Sequence, residues 1–232
     1  MNYAVVVCCL IAALILTLLN IKTLASNENN TLKIIASIAA TFISLRYVAM
    51  IAYSVLDDYI MLNTLKYFYF ASDIGLPILV ISALWYITPA YRDKIPYNKF
   101  IFISVPWVAY FLFITFMQPT SIVAGKYFGY QLRIADEFIM ITNAMQISFI
   151  VVVALLAMNG ILRYKHLQIR TQLILMLISQ LLVAVDVYTF NGINHYIFMP
   201  FTLTDVCVLV ATYYAFSTPI RMIKSSNISV RE

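Results

Sequence analysis

Long apolar segments separated by short polar connections run along almost the whole chain. Those of helix length fall at residues 3–21, 33–56, 67–88, 100–118, 138–162, 171–191 and 196–217. Each is close to the roughly 20 residues that an α-helix needs to cross the hydrocarbon of a bilayer. Backbone amides in lipid must bond within their own segment, and the segments are too continuous for alternating barrel strands. The pattern therefore predicts an all-α bundle of seven transmembrane helices.

The composition supports this class of protein. The chain is 63% hydrophobic and 11% charged, whereas soluble domains carry about 25% charged residues. Its 17 Tyr and 15 Phe are spread along the sequence, so the apolar excess is not a single anchor on a soluble domain. We predict a multi-pass membrane protein with one transmembrane domain over residues 1–220 and a short basic tail over residues 221–232.

Basic residues are distributed unequally between the two sets of connections. One side has Lys66, Lys126 and Arg133, and the other has Lys22, Lys33, Arg92, Lys94, Lys99, Arg163, Lys165, Arg170, Arg221, Lys224 and Arg231. Since an excess of Lys and Arg marks the cytoplasmic side, we predict an external N-terminus and a cytoplasmic C-terminus. The alternative, that the first span is a cleaved signal peptide, lacks the basic start that such peptides carry.

The predicted outer connection between the fourth and fifth spans is rich in aromatic residues and glycine. Its residues 125–130 read GKYFGY. Two interpretations remain open from the sequence, either a cap that folds over the bundle or a segment of the aromatic belt at the membrane interface.

Several polar side chains fall inside the predicted spans, where a charge costs about 2.5–3.5 kcal/mol even on the lenient insertion scale. Arg46 and Asp205 lie near mid-membrane, so an ion pair between them is geometrically feasible. Asp73 and Asp186 are expected in the outer half, facing one vestibule. Asn143 and Gln146 share a helical face at the same depth, and Gln180 lies deeper. The candidate ligand-binding residues are Arg46, Asp73, Asn143, Gln146, Asp186 and Asp205.

These residues admit more than one interpretation. The predicted spans contain three buried Asp side chains and one Arg, so acidic groups are in excess. At least one carboxyl group should therefore be protonated, exposed to water or paired with a cation. A small cationic or hydrogen-bonding ligand would suit such a pocket. Alternatively, Arg46 and one Asp clamp helices together while the other carboxylates sit in interfacial water. A proton relay is a third interpretation.

Motifs for catalysis or cofactor binding are missing from the sequence. It contains no phosphate loop, no His-Glu-x-x-His and no Gly-x-Ser-x-Gly. His166 and His195 fall in connections on opposite predicted faces, and the three cysteines lie within apolar runs. We therefore expect no enzymatic activity, no metal, no cofactor and no nucleic-acid partner.

Two parts of the sequence carry a resemblance to a known family. The third span combines an aromatic entry, a proline and an aromatic-Thr exit, and the seventh leads from an aromatic-Pro segment to a basic stretch. The segments are LKYFYFASDIGLPILV at 65–80, WYIT at 85–88, HYIFMPFT at 195–202 and ATYYAF at 211–216. In these the chain resembles the seven-helix sensor region that precedes bacterial histidine kinases. The resemblance implies a bacterial plasma membrane, but no phosphoacceptor helix or ATP-binding domain is recognisable.

We therefore predict a receptor-like sensory or regulatory membrane protein. It would bind a small ligand or peptide from outside and signal to a cytoplasmic or membrane partner through the last span and the tail. The basic residues would meet that partner or anionic lipid. The alternatives are a small-molecule or proton-coupled transporter or channel, and an accessory subunit of another membrane protein.

Overall fold

The computed structural model describes residues 3–56, 59–117, 120–124, 130–134, 136–192 and 202–217. Within these ranges the chain is helical apart from one β-hairpin. The long helices are α1 (Tyr3–Ala25), α2 (Asn30–Val55), α3 (Tyr59–Ile87), α6 (Val105–Met117), α7 (Asp136–Arg163), α8 (Leu167–Gly192) and α9 (Thr202–Ser217). Between α3 and α6 lie α4 (Pro89–Lys94), α5 (Tyr97–Phe100) and a 3₁₀ turn (Ile101–Ser104).

Six helical segments of the described chain are long and apolar enough to cross a membrane. They are Val7–Ala25, Asn30–Tyr53, Ile60–Ile87, Tyr97–Met117, Met140–Arg163 and Leu167–Val185. The seventh predicted span corresponds to α9, which has 16 described residues and is therefore about 24 Å long. That is shorter than the roughly 30 Å of hydrocarbon. Within the described residues the structure thus confirms a helical chain with six candidate membrane-spanning helices, and the seventh span stays a prediction.

Predicted and observed boundaries agree within a few residues for most of the spans. The largest difference is in α3, predicted to begin at residue 67 but observed from Tyr59. Its first turns carry the polar residues Asn63, Thr64 and Lys66, which dilute the hydropathy without ending the helix. Asp73 consequently lies at the middle of α3 rather than near its start.

The connection between α6 and α7 contains two strands that the hydropathy pattern did not predict. Strand β1 (Thr120–Ala124) pairs antiparallel with β2 (Tyr130–Ile134), with Ile122 opposite Leu132. Residues 125–129 of the aromatic segment lie outside the described residues, so both interpretations of that segment stay open.

Helix α3 occupies the centre of the bundle. In an 18-residue apolar stretch of its span 78% of the residues are buried, against 28% to 50% in the corresponding stretches of the other five spans. Large apolar side chains of α1, α7 and α8, including Leu18, Leu155 and Leu181, are more than half exposed. Exposed leucines on the outside and a buried central helix are the arrangement expected of a bundle whose solvent is lipid.

Helix α2 packs closely against α3. A Cβ atom added at Gly75 would lie 2.5 Å from the carbonyl oxygen of Ala39 and 2.9 Å from Cβ of Phe42. The backbones can approach this closely only because residue 75 has no side chain. This contact fixes the register between α2 and α3, and hence which side chains meet further along the pair.

Helix α1 joins the bundle through polar contacts. The hydroxyl groups of Thr17 and Ser44 are 2.5 Å apart, and Nδ2 of Asn20 donates to the carbonyl oxygen of Leu209 at 3.2 Å. The side chain of Asn29 caps the start of α2 by accepting from the backbone N–H of Leu32 at 3.1 Å. Helices α1, α2 and α9 are therefore held together by neutral hydrogen bonds as well as by apolar packing.

At the other end of α3, four aromatic side chains hold the α4–α5 segment in place. Trp85 donates to the carbonyl oxygen of Ile95 at 2.9 Å, and the hydroxyl of Tyr97 lies 2.8 Å from that of Ser82. Tyr91 and Tyr164 connect this segment to α7. We call Trp85, Tyr91, Tyr97 and Tyr164 the aromatic tether.

Candidate functional site

A charged triad links three helices. Arg46 of α2 contacts Asp73 of α3, with 2.6 Å between Nη2 and Oδ1, and it also contacts Asp205 of α9, with 3.0 Å between Nη1 and Oδ2. The predicted pair of Arg46 and Asp205 is therefore confirmed. Asp73 is not separate from it, as the outer-vestibule interpretation had assumed. One guanidinium serves both carboxylates.

Two neighbouring residues of α3 also contact the triad. Nε of Arg46 donates to the carbonyl oxygen of Tyr69 at 3.1 Å, and its Cζ lies 5.3 Å from the centroid of the Tyr69 ring. Ser72 donates to Oδ2 of Asp205 at 3.1 Å. Arg46 is thus held by two carboxylates, a carbonyl group and an aromatic face, a combination suited to its planar fork of donors.

The triad is buried. The exposed fraction is 1% for the Arg46 side chain, 0% for Asp205 and 12% for Asp73. Removing charges from water is costly, and mutual attraction repays the cost only with good geometry and further hydrogen bonds. Nε of Arg46 and Oδ2 of Asp205 have such further hydrogen bonds, but the formal charge of the triad with both carboxylates ionised is −1. Of its members, Asp73 has the greatest access to the surroundings.

A small cavity adjoins the two carboxylates. Its lining comes from five helices and comprises Asp73, Leu76, Pro77, Phe111, Gln146, Phe149, Ile150, Val183 and Asp205. Its volume is about 30 Å³, and a cavity needs about 10–15 Å³ to hold one water molecule. The space therefore fits one or two water-sized occupants beside an excess of negative charge.

Pro77 changes the backbone hydrogen bonding of α3 beside the cavity. It lies inside α3 and has no N–H, so the helical bond that would reach the carbonyl group of Asp73, four residues earlier, cannot form. Both Pro77 and Asp73 line the cavity. A carbonyl group deprived of its helical donor, two carboxylates and the Gln146 amide are oxygen-bearing groups of the kind that bind small cations or ordered water.

The other predicted ligand-binding residues are placed differently. Gln146 lines the cavity, whereas Asn143, one turn earlier on α7, is half-buried and is not part of the lining. The side chain of Asp186 lies outside the described residues. Gln180 on α8 is 1% exposed, does not line the cavity, and has no hydrogen-bond partner for its amide atoms in the described structure.

Sequence reasoning missed Ser72, Tyr69, Phe111 and Phe149. A usable signal existed for Tyr69, which precedes Asp73 by four residues and therefore shares its face of α3. No such signal exists for Phe111 and Phe149, because their place in the lining depends on how α6 and α7 pack against α3.

Within the described residues no group of three or more His, Cys, Asp or Glu side chains is arranged to hold a metal ion. The triad is thus a mixed site of one guanidinium and two carboxylates. Neither a family model nor a curated protein matches the chain. The resemblance to sensor regions of histidine kinases therefore rests on the sequence segments themselves.

Proposed function

We propose that the protein is a receptor-like regulatory membrane module that binds a small cation through the triad. The observation that carries the proposal is that one guanidinium is shared by two carboxylates beside a cavity of about 30 Å³. The unbalanced negative charge favours a cation, and the volume favours one of water-like size over a peptide. A peptide would instead have to contact the outer connections.

The connectivity of the triad supports a signalling role. Arg46 and Asp73 belong to helices that pack tightly at Gly75, whereas Asp205 belongs to α9, the last described helix. A cation that binds the carboxylates competes with Arg46 for them. It would therefore weaken the hold of α2 and α3 on α9, and α9 would shift toward the face that meets a partner.

The proposed topology completes this scheme. The chain would cross a bacterial plasma membrane seven times, with α9 as the seventh span, an external N-terminus and a cytoplasmic C-terminus. The cation would then enter from outside, and the signal would reach the cytoplasmic side. The excess of basic residues on one set of connections supports this orientation. On this proposal the chain performs no catalysis itself.

The test uses purified protein in nanodiscs of neutral lipid, with Na⁺, K⁺ or NH₄⁺ exchanged for N-methylglucamine at constant ionic strength. The readout is the distance between spin labels on Lys94 and Ser217 in a background without the native cysteines. We expect small cations to change this distance and the large cation to leave it unchanged. A wild-type distance independent of the cation would refute the proposal.

Variants connect the response to the triad. D73N and D205N each remove the excess negative charge, so we expect both to lose the cation response while still inserting in the membrane. D93N alters an exposed carboxylate of α4, remote from the triad, and is the matched control. A full response in D73N and D205N would remove the triad from the proposed site.

A transporter or channel is the second candidate, because buried carboxylates beside a cavity also suit a cation path. Flux distinguishes the two functions. Proteoliposomes containing only this protein should show no uptake of ²²Na⁺ or protons if it is a receptor. Uptake that D73N abolishes would decide for transport.

A further inference from the structure

One end of the bundle carries a dense group of basic side chains around α4, α5 and the connection from α7 to α8. Lys94, Lys99 and Lys165 are exposed, and Arg92 and Arg163 are half-buried. We call these five residues the basic face. It lies far from the charged triad, since residue 88 is about 22 Å along the helix axis from Asp73.

The two segments that carry the basic face are fixed against each other. The backbone N–H of Ala90 donates to the hydroxyl of Tyr164 at 2.7 Å, and the hydroxyl of Tyr91 donates to the carbonyl oxygen of Leu156 at 3.1 Å. The basic side chains of both segments are therefore presented together by a rigid support.

The charge environment of Tyr164 shows that the two arginines act at one place. Burial raises the pKa of the Tyr164 phenol, while the Ala90 hydrogen bond and the guanidinium groups of Arg163 and Arg92 oppose that rise. The carboxylate of Asp93 acts on the same phenol in the raising direction. The guanidinium groups of Arg92 and Arg163 thus both lie close enough to the Tyr164 phenol to affect its ionisation.

The positive charge of this face is not neutralised by ion pairs within the described residues. Both ion pairs found among the described residues are made by Arg46, so none involves the basic face. Asp93 supplies the one acidic side chain of α4 and α5. The basic face together with Asp93 therefore carries a net charge of +4.

Apolar side chains stand exposed beside these charges. Phe102 is 68% exposed and Leu167 is 79% exposed, and Ile95 between the two short helices is 37% exposed. An acidic soluble partner would not require such neighbours. Basic groups next to exposed apolar groups are what the boundary between headgroups and acyl chains favours.

We propose that the basic face binds the headgroups of anionic phospholipids. The phosphate groups accept hydrogen bonds from Arg92 and Arg163, the lysines add attraction over about a Debye length, and Phe102 and Leu167 contact the acyl chains. The role of the face is to hold α4, α5 and the α7–α8 connection at the membrane surface.

Wild-type protein gives the first test. The purified protein is exchanged into micelles containing equal amounts of phosphatidylglycerol and phosphatidylcholine, and the lipids that remain bound are counted by native mass spectrometry. We expect anionic lipid to be enriched about tenfold or more over zwitterionic lipid, with the enrichment falling as salt is raised. Equal retention of the two lipids would overturn the proposal.

Variants locate the binding. In the quadruple variant K94Q/K99Q/R163Q/K165Q we expect the enrichment to fall to near equality. K66Q is the control, because it removes a basic residue about 33 Å away along α3. Because loss of charge can also disturb insertion, variants are compared after purification and at matched helicity. Equal enrichment in the quadruple variant and wild type would refute the assignment of the site.

The source of the phosphate group is tested separately. In nanodiscs of neutral lipid, glycerol phosphate or inorganic phosphate at millimolar concentration should not protect the α4–α5 segment from hydrogen exchange, whereas phosphatidylglycerol in the bilayer should. Protection by the soluble phosphates alone would show a free-anion site and contradict the lipid proposal. Protection by an acidic peptide but not by anionic lipid would contradict it equally.

Discussion

The charged triad and the aromatic tether are two polar networks in one apolar bundle, and they are built on opposite principles. The tether consists of neutral donors bonded to neutral acceptors, as between Ala90 and Tyr164 at 2.7 Å. The triad consists of one cation and two anions with 0% to 12% exposure. The aromatic tether pairs neutral hydrogen-bonding groups, so its burial costs little free energy. The charged triad retains an unbalanced charge.

This difference indicates which network is structural. Neutral hydrogen bonds contribute about 0.5–1.5 kcal/mol each and need nothing further. A buried ion cluster is often no more stabilising than well-packed apolar residues of similar volume. The presence of the charged triad beside a cavity is therefore better explained by a function than by a need for stability.

The largest effect is expected from Arg46→Met. It leaves the two carboxylates without the guanidinium that they share, and breaking a buried ion pair costs about 3–5 kcal/mol. Unfolding of the detergent-solubilised protein, followed by circular dichroism, measures the loss. The matched variant R46M/D73L/D205L removes all three charges and should recover most of it. A single variant as stable as wild type would mean that the triad does not bear charge as described.

The next effect is expected from Gly75→Ala. The new Cβ would lie 2.5 Å from the carbonyl oxygen of Ala39, so α2 and α3 must separate, at a cost of about 1–3 kcal/mol. The separation should also disturb the contact between Arg46 and Asp73. Thermal unfolding and the cation response both report this change.

Gly160→Ala is the matched control for this helix contact. Its Cβ would approach Cδ1 of Leu173 at 2.6 Å, and the end of a leucine side chain can move where a backbone carbonyl cannot. Alanine also gains about 1 kcal/mol of helix propensity at either position. We expect Gly160→Ala to cost less than Gly75→Ala, and the reverse order would contradict the close contact at Gly75.

The helices and one ion pair could be predicted from the sequence because both follow from local or one-dimensional rules. Apolar runs of about 20 residues specify membrane helices. Because few charges lie within the runs, the one cation, Arg46, had few available partners, and Asp205 was one of them. The shared contact with Asp73 could not be predicted, because it depends on the register that Gly75 permits between α2 and α3.

The sequence between α6 and α7 does contain a pattern that indicates the hairpin. Strands β1 and β2 are rich in β-branched and other apolar residues and are separated by five residues that include Gly125 and Gly129. Such spacing is typical of a hairpin. The cavity lining, unlike the hairpin, has no local sequence pattern that predicts it. Phe111 and Phe149 belong to separate helices, and no sequence rule states that they meet beside Asp73.

A change in the aromatic tether should have a smaller effect. Tyr164→Phe removes the acceptor of the Ala90 N–H, and we expect a loss of about 1 kcal/mol in thermal unfolding. Burial raises the pKa of Tyr164 because it disfavours the phenolate. The stability that comes from burying the neutral phenol is therefore complete below the ordinary pKa of about 10 and is lost as pH rises through the raised value. The difference between wild type and variant should therefore shrink in strong alkali. The cation response should be unchanged, which separates the tether from the triad.

The smallest effect is expected to be a gain. Gln180 is 1% exposed and its amide atoms have no hydrogen-bond partner within the described residues, so Gln180→Met should stabilise by about 0.5–1 kcal/mol. The comparison is Gln172→Met on the same helix, because Nε2 of Gln172 donates to the carbonyl oxygens of Tyr214 and Ala215 at 3.4 Å. Unfolding midpoints of the two variants should therefore move in opposite directions. If Gln180→Met instead abolished the cation response at unchanged stability, the functional site would extend deeper along α8 than the triad.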